Sequence, residues 1–226
     1  MNWQDKGFLI SKNKYNENSI IAEFFTEEHG KVSGVVFGAT SKKIKNYLLV
    51  GNNFHTNFNS KNINKLGYFN LEINNLNTPL FLDDKKKLSC VVYTMNLIKL
   101  LTVENQENVN IFISIGYFFQ LLNEKNWIKL FLLWELNFFK NIGYDINFKD
   151  YVSLKKINND EKYIVKSSNG EKVIPNFLVE KKKEPTNDNE LLIGLKIVGD
   201  YLEKTILKPN NISLPITRSD FINNIR

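Results

Sequence analysis

The chain has 226 residues, 42% hydrophobic and 24% charged, which allows a packed core and excludes a disordered polyelectrolyte. One cysteine, Cys90, and two histidines, His29 and His55, exclude a disulfide framework and a cysteine zinc finger, and leave a histidine-rich metal centre short of ligands. The net charge is +6, and arginine occurs only at Arg218 and Arg226, so the positive charge is almost all lysine.

The first residues, Met-Asn-Trp-Gln-Asp-Lys, show no basic head followed by an apolar run, so no secretory leader is expected. The apolar stretch Leu130 to Leu136 is flanked or cut by Lys129, Glu135 and Lys140, too short for a membrane span. A cytoplasmic protein is expected.

The N-terminal third reads as short strands. Lys6–Ser11 and Ser19–Phe25 are apolar-rich runs separated by the turn-like Asn13-Lys-Tyr-Asn-Glu-Asn18. Thr26-Glu-Glu-His-Gly30 makes a turn, and Lys31–Ala39 follows as a strand carrying Gly34 and Gly38, which mark bends. Asn52–Asn59 alternates, with Phe54, Thr56 and Phe58 on one face. Gly67–Ile73 sets Phe69 and Leu71 against Tyr68, Asn70 and Glu72. Five short strands without a helical period predict a small barrel of the OB type over residues 1–78.

Beyond Thr78-Pro79 the period changes. Asp83–Leu101 is read as a helix with Val91, Met95, Ile98 and Leu101 on one stripe and acids in its first turn. Asn108–Leu122 suits a helix, although Val109 to Ile115 suits a strand equally. Asn126–Ile142 is apolar almost all round and is read as a buried central helix closed by Gly143. Residues 148–186 form a polar, irregular insertion with a hairpin over Tyr151–Lys156 and Lys162–Ser167. Glu190–Leu207 is a helix stopped at Pro209, and Ser219 is read as the cap of a last helix to Ile225. The fold class is α+β: an N-terminal barrel, then a mainly helical domain over residues 79–226.

No phosphate-cradling glycine loop, nucleophile elbow or H-E-x-x-H is present. Cys90 lies among Leu88, Val91 and Val92, where a thiol packs as a small apolar group. Glu27-Glu28 and Asp83-Asp84 are the carboxylate pairs available for Mg²⁺. The stronger signal is charge distribution. Between His29 and Leu71 there is no acid, and Lys31, Lys42, Lys43, Lys45, Lys61 and Lys65 stand unopposed. Such a field suits a polyanion, and OB barrels pair basic grooves with aromatic platforms. The six lysines are candidate phosphate contacts. Tyr47 and Tyr68 are candidate base platforms, with Phe54, Phe58 and Phe69 assigned to the core.

Three stretches carry a resemblance: Tyr15-Asn-Glu17-Asn-Ser19; Phe25-Thr26-Glu27-Glu28-His29-Gly30-Lys31; and Gly34-Val-Val-Phe-Gly38-Ala39 with Lys42-Lys43 after it. They resemble the start of the bacterial DNA repair and recombination mediator family RecO. Trp134-Glu135-Leu136 through Gly143-Tyr144-Asp145 is similar to that family's helix ending in Leu-Gly-Tyr, and Gly199 to Pro209 to its last long helix. The resemblance implies no catalytic turnover and no cofactor. It implies binding to single- and double-stranded DNA, annealing of complementary strands and partnership with RecR. It also implies contact with the C-terminal tail of the single-strand-binding protein, help in loading RecA, and a nucleoid-associated location. Many members carry a four-cysteine zinc site after the Leu-Gly-Tyr helix, but residues 148–183 here hold no cysteine, so zinc is not expected. The alternatives are a metal-dependent nuclease using Asp83, Asp84 or Glu27, and an RNA-binding OB protein.

Overall fold

A computed structural model describes residues 1–61, 66–157, 160–167 and 170–226, with the side chains of Lys43, Ile157, Asp160 and Ser167 also left aside. Lys65 lies outside the described residues. The chain divides into two compact units, residues 1–116 with 215–225, and residues 117–214 with Arg226.

The first unit is built on a closed five-stranded barrel in the order β1-β2-β3-β5-β4. Its strands are β1 (Asn2–Lys14), β2 (Ser19–Thr26), β3 (Gly30–Phe37), β4 (Asn53–Asn59) and β5 (Gly67–Asn75). β1 is longer than its apolar run because it serves two neighbours. Asn2 to Phe8 pair with β4, Gly7 to Lys14 pair with β2, and a bulge between Leu9 and Ser11 bends the strand from one to the other. The barrel closes where β3 runs parallel to β5, with Gly34 opposite Gly67. A Cβ on Gly67 would lie 2.3 Å from the Phe58 ring, and one on Gly34 2.6 Å from the Phe69 ring. Glycine at both positions therefore leaves room for aromatic rings in the barrel interior. Phe24, Phe54, Phe58 and Phe69 form that interior with Leu9, Val32 and Val36.

Between β3 and β4 stands a four-residue helix, α1 (Lys42–Lys45), in a stretch to which the sequence assigned no element. Ile44, Tyr47 and Leu48 pack against the barrel core beneath it. β3 ends at Phe37, two residues before the sequence reading, because Gly38 turns the chain at φ +68°.

α2 (Lys85–Leu101) starts one step inside the acidic pair. Asp84 is its N-cap, and the carboxylate accepts from the amides of Lys86 and Lys87. α3 (Val109–Leu121) settles the helix-or-strand ambiguity as helix, and Asn108 Oδ1 accepts from the Ile111 amide at its start. The chain returns to this unit as α7 (Ile216–Ile225), which begins three residues before Ser219; Ser219 is therefore inside the helix and not its cap. Arg218 is buried on α7, donates to the Tyr93 hydroxyl and holds its guanidinium 5.1 Å from the Tyr93 ring centroid.

The second unit contains α4 (Trp127–Asn141), the short α5 (Asn176–Val179) and α6 (Asp188–Tyr201), which widens into a π-helical turn over Leu202–Leu207. Phe118, Phe131, Trp134 and Phe138 pack as an aromatic cluster along α4, as its all-round apolar pattern predicts. The polar insertion holds a three-stranded sheet, β6 (Ser153–Ile157), β7 (Asp160–Ser167) and β8 (Gly170–Ile174), so the expected hairpin carries a third strand. The third strand opens at Gly170, and a run as short as Val173-Ile174 gives no period to read.

Candidate nucleic-acid interface

The β2–β3 hairpin carries the motif that prompted the family resemblance, and its residues hold one another. Thr26 Oγ1 donates to the Gly30 carbonyl at 3.0 Å and accepts from the His29 amide at 3.2 Å. Asp5, with its side chain 3% exposed, lies 2.9 Å from His29 Nδ1. An ionised carboxylate only accepts, so Nδ1 carries the proton. The imidazole stacks on Trp3 at 4.0 Å between centroids, and Trp3 stacks on Phe58 at 4.9 Å. Gly30 has φ +65°, and a Cβ there would lie 1.9 Å from the Gln106 carbonyl oxygen. Phe-Thr-Glu-Glu-His-Gly thus clamps the hairpin to β1 and to the loop before α3.

The candidate lysines separate into two groups. Lys31 Nζ donates to the carbonyls of Lys99 at 2.8 Å and Thr102 at 2.5 Å, at the C-terminal end of α2. Burial lowers its pKa against the raising influence of Glu104 and Glu23. This ammonium complements a helix C-terminus. Lys42 and Lys45 on α1 and Lys61 after β4 are exposed, and none makes an ion pair among the described residues. Lys43 shares the backbone of α1. Two further cations that the acid-free segment did not include, Lys12 and Lys14 at the end of β1, are also exposed. Lys12 Nζ donates to the Leu48 carbonyl at 2.6 Å, and burial, with the charge of Lys45 added, lowers its pKa. Lys12 and Lys45 therefore feel one another's field at the same end of the barrel.

The two tyrosines also part. Tyr47 is half-buried and packs on the barrel core, its ring 6.4 Å from Phe54. Tyr68 is 40% exposed on the outer face of β5. Its ring lies 5.9 Å from that of Phe37, which is 60% exposed at the end of β3. Phe37 was legible from parity: Val32, Gly34 and Val36 point inward, so Phe37 must point out.

Elsewhere on the barrel a cleft of about 630 Å³ is lined by Asp5, Glu27, Glu28 and Glu72, with Lys6 and His55 beside them. Its charge repels phosphate, so the barrel is polarised. Among the described residues no group of three His, Cys, Asp or Glu is placed to hold a metal ion. Asp84, one of the acids considered for Mg²⁺, is the cap of α2. In the second unit, Lys129 is 4% exposed and pairs at 2.6 Å with Glu184, which is 61% exposed. The Lys129 hydrogen bond, then that of Asn126, lowers the Glu184 pKa. The insertion that would carry the four-cysteine zinc site has no thiol. Its sheet is tied instead by Lys155–Glu171 at 2.7 Å and by the Tyr163 hydroxyl donating to Glu180 at 2.6 Å. These residues do not fit a thiolate zinc site.

No helix among the described residues is long and apolar enough to cross a membrane. Residues 1–75 match the family model described as "Recombination protein O N terminal", and residues 82–211 match "Recombination protein O C terminal". The chain is similar to the DNA repair protein RecO of Rhodospirillum centenum, with 21% identity over 240 residues, 100% of this chain and 95% of that protein. It is similar to that of Bartonella henselae, with 22% identity over 240 residues, 98% of this chain and 91% of the relative. The DNA repair protein RecO of Ehrlichia chaffeensis is 28% identical over 149 residues, 65% of this chain and 60% of that protein.

Proposed function

The chain belongs to the RecO family of DNA repair proteins, and on that premise we propose that it is a recombination mediator that holds DNA by its phosphates and turns over no substrate. The observation that carries this reading is the lysine edge of the barrel: Lys42 and Lys45 on α1, with Lys12 and Lys14 at the end of β1, exposed and free of ion pairs among the described residues, as Lys61 after β4 also is. Lys43 and Lys65 belong to the same acid-free segment and extend the proposal. Lys31 is set apart from that edge, tying the start of β3 to the end of α2.

Chemistry favours annealing. Two complementary strands repel through their phosphates, and cations that displace condensed counterions lower that barrier. Lysine suits the task because its ammonium is a point charge on a flexible stem, without the fixed fork of arginine. A strand can then shift its register without breaking a bidentate contact.

The partners are proposed on the family premise: single- and double-stranded DNA, RecR, and the C-terminal tail of the single-strand-binding protein, through which RecA loading is helped. An acidic tail with an apolar end needs a lysine-flanked apolar pocket. The second unit has lysines and apolar helices to build one. The test is annealing of complementary oligonucleotides coated with the cognate single-strand-binding protein. Duplex should accumulate faster with this chain present than without it. No acceleration, together with no retention of DNA by the chain, would refute the reading. Release of shortened strands in Mg²⁺ would favour the nuclease alternative.

A further inference from the structure

Phe37 is an anomaly. A phenylalanine exposed at 60% leaves most of its apolar surface in water, and it stands at the end of a strand whose other outward residues are covered: Lys31 and Ser33 contact the end of α2 and the loop after it, and Val35 is buried. Ser33 Oγ donates to Glu104, and Lys31 reaches the end of α2. Six residues of strand place Phe37 about 20 Å from Lys31, beyond that cover. Tyr68 is the other large ring there, 40% exposed, with the rings 5.9 Å apart and tilted by 54°. A stacked pair would cover one face of each ring; this tilted pair does not. Both backbones are fixed by the ladder, since Phe37 pairs with Ser19 of β2 and Val35 of β3 pairs with Tyr68 of β5. The rings therefore stand on rigid elements.

Their surroundings limit what they can receive. Gly38 turns the chain directly after Phe37, and α1 with Lys42 and Lys45 follows within eight residues. Glu72, four residues after Tyr68 on the same outer face of β5, belongs to the acidic cleft, and Glu17 lies in the loop held to the turn by Ala39 N donating to the Asn18 carbonyl at 3.1 Å. A ligand that uses both the rings and the ammonium groups must offer flat apolar faces joined to negative charges. An unpaired nucleic-acid strand does so, whereas a duplex hides its base faces in its own stack.

We propose that Phe37 and Tyr68 form a base-stacking platform through which the barrel selects unpaired strands, while the lysine edge binds paired and unpaired strands alike. This rests on the DNA-binding reading above and adds the selectivity to it. In an annealing protein the division has a use: bases leave the platform as they pair, so the product is held by charge alone and is released more readily.

The experiment uses the full chain and fluorescence anisotropy with three probes. They are an oligothymidylate about 16 nucleotides long, near the upper site size of such a barrel, an abasic strand of equal length, and a duplex. Stacking one base is worth on the order of 1–3 kcal/mol, so Phe37→Ala should weaken thymidylate binding about fivefold or more. Its affinity for the abasic strand and the duplex should not change, nor should the salt slope. Phe37→Trp should restore the thymidylate affinity, and Tyr68→Ala should repeat the pattern. No loss on thymidylate in both alanine variants, or an equal loss on the abasic strand, overturns the platform. A Lys42→Gln/Lys45→Gln variant separates the two levels. If it weakens all three probes while the ring variants change nothing, the platform fails and the interface stands. If it too changes nothing, the interface reading itself fails.

Discussion

Lys31 lies in the acid-free segment, yet its ammonium is bound to two main-chain carbonyls at the end of α2. Replacing it with Met keeps the stem and removes the charge. A hydrogen bond from a charged donor is worth about 1.5–3 kcal/mol when sheltered, but this group is half-exposed, and water screens it and can replace it. Burial also outweighs the nearby Glu104 and Glu23 in lowering its pKa, so the net attraction is small. We therefore expect Lys31→Met to cost about 1 kcal/mol, which is roughly a 2–4 °C fall in melting temperature for a chain of this size. The pH dependence has a definite sign. The folded pKa lies below the ordinary 10.5, so the unfolded chain binds this proton more tightly. Stability from this site rises as pH climbs from the folded value towards 10.5, and the variant lacks that increment. The DNA readout runs the other way. Each phosphate of a single strand that a cation no longer neutralises lowers the log–log salt slope by about 0.7, and Lys31→Met should leave the slope unchanged. An unaltered melting temperature together with a shallower slope would refute the structural role and return Lys31 to the interface.

Gly30→Ala should be costly, because φ +65° disfavours a side chain and the new Cβ would meet the Gln106 carbonyl at 1.9 Å. A loss of at least about 2 kcal/mol in urea unfolding is expected, and a loss under about 0.5 kcal/mol would contradict the clamp. In the second unit the Glu184 carboxyl should titrate below its ordinary value of 4.5, and Lys129→Met should bring it back up, as carboxyl carbon NMR would read. The sign follows from the lowered folded pKa. The stabilisation is complete above about 4.5 and is lost as pH falls through the depressed value, so the wild-type advantage over Lys129→Met should vanish in acid.

Much of the barrel was legible because strand parity acts locally. Alternation correctly placed Phe54, Phe58 and Phe69 inside and Tyr68 outside. The all-round apolar pattern of α4 likewise marked a buried helix. Features that depend on distant partners were not legible. The roles of Lys31 and Asp5 are set by α2 and by His29, 68 and 24 residues away, and no local period encodes them. Helix α1 was hidden because four residues give barely one turn, and Tyr47, read as a candidate base platform, packs on the barrel core beside Ile44 and Leu48. α7 was begun too late because Ser219 resembles a cap, whereas Arg218 is held inside the helix by Tyr93, far back in the chain. Parity puts Phe37 on the outer face of β3, but Val35 shares that parity and is buried, so the exposure of Phe37 comes from its place at the strand end.

The most direct test of the lysine edge is the salt dependence of single-strand binding by the wild-type chain and by Lys42→Gln/Lys45→Gln. With two fewer phosphates neutralised on a single strand, the log–log slope should fall by about 1.4, with weaker binding whatever the base sequence and an unchanged melting temperature. An unchanged slope and affinity, with the variant folded, would contradict the assignment of this edge of the barrel to DNA.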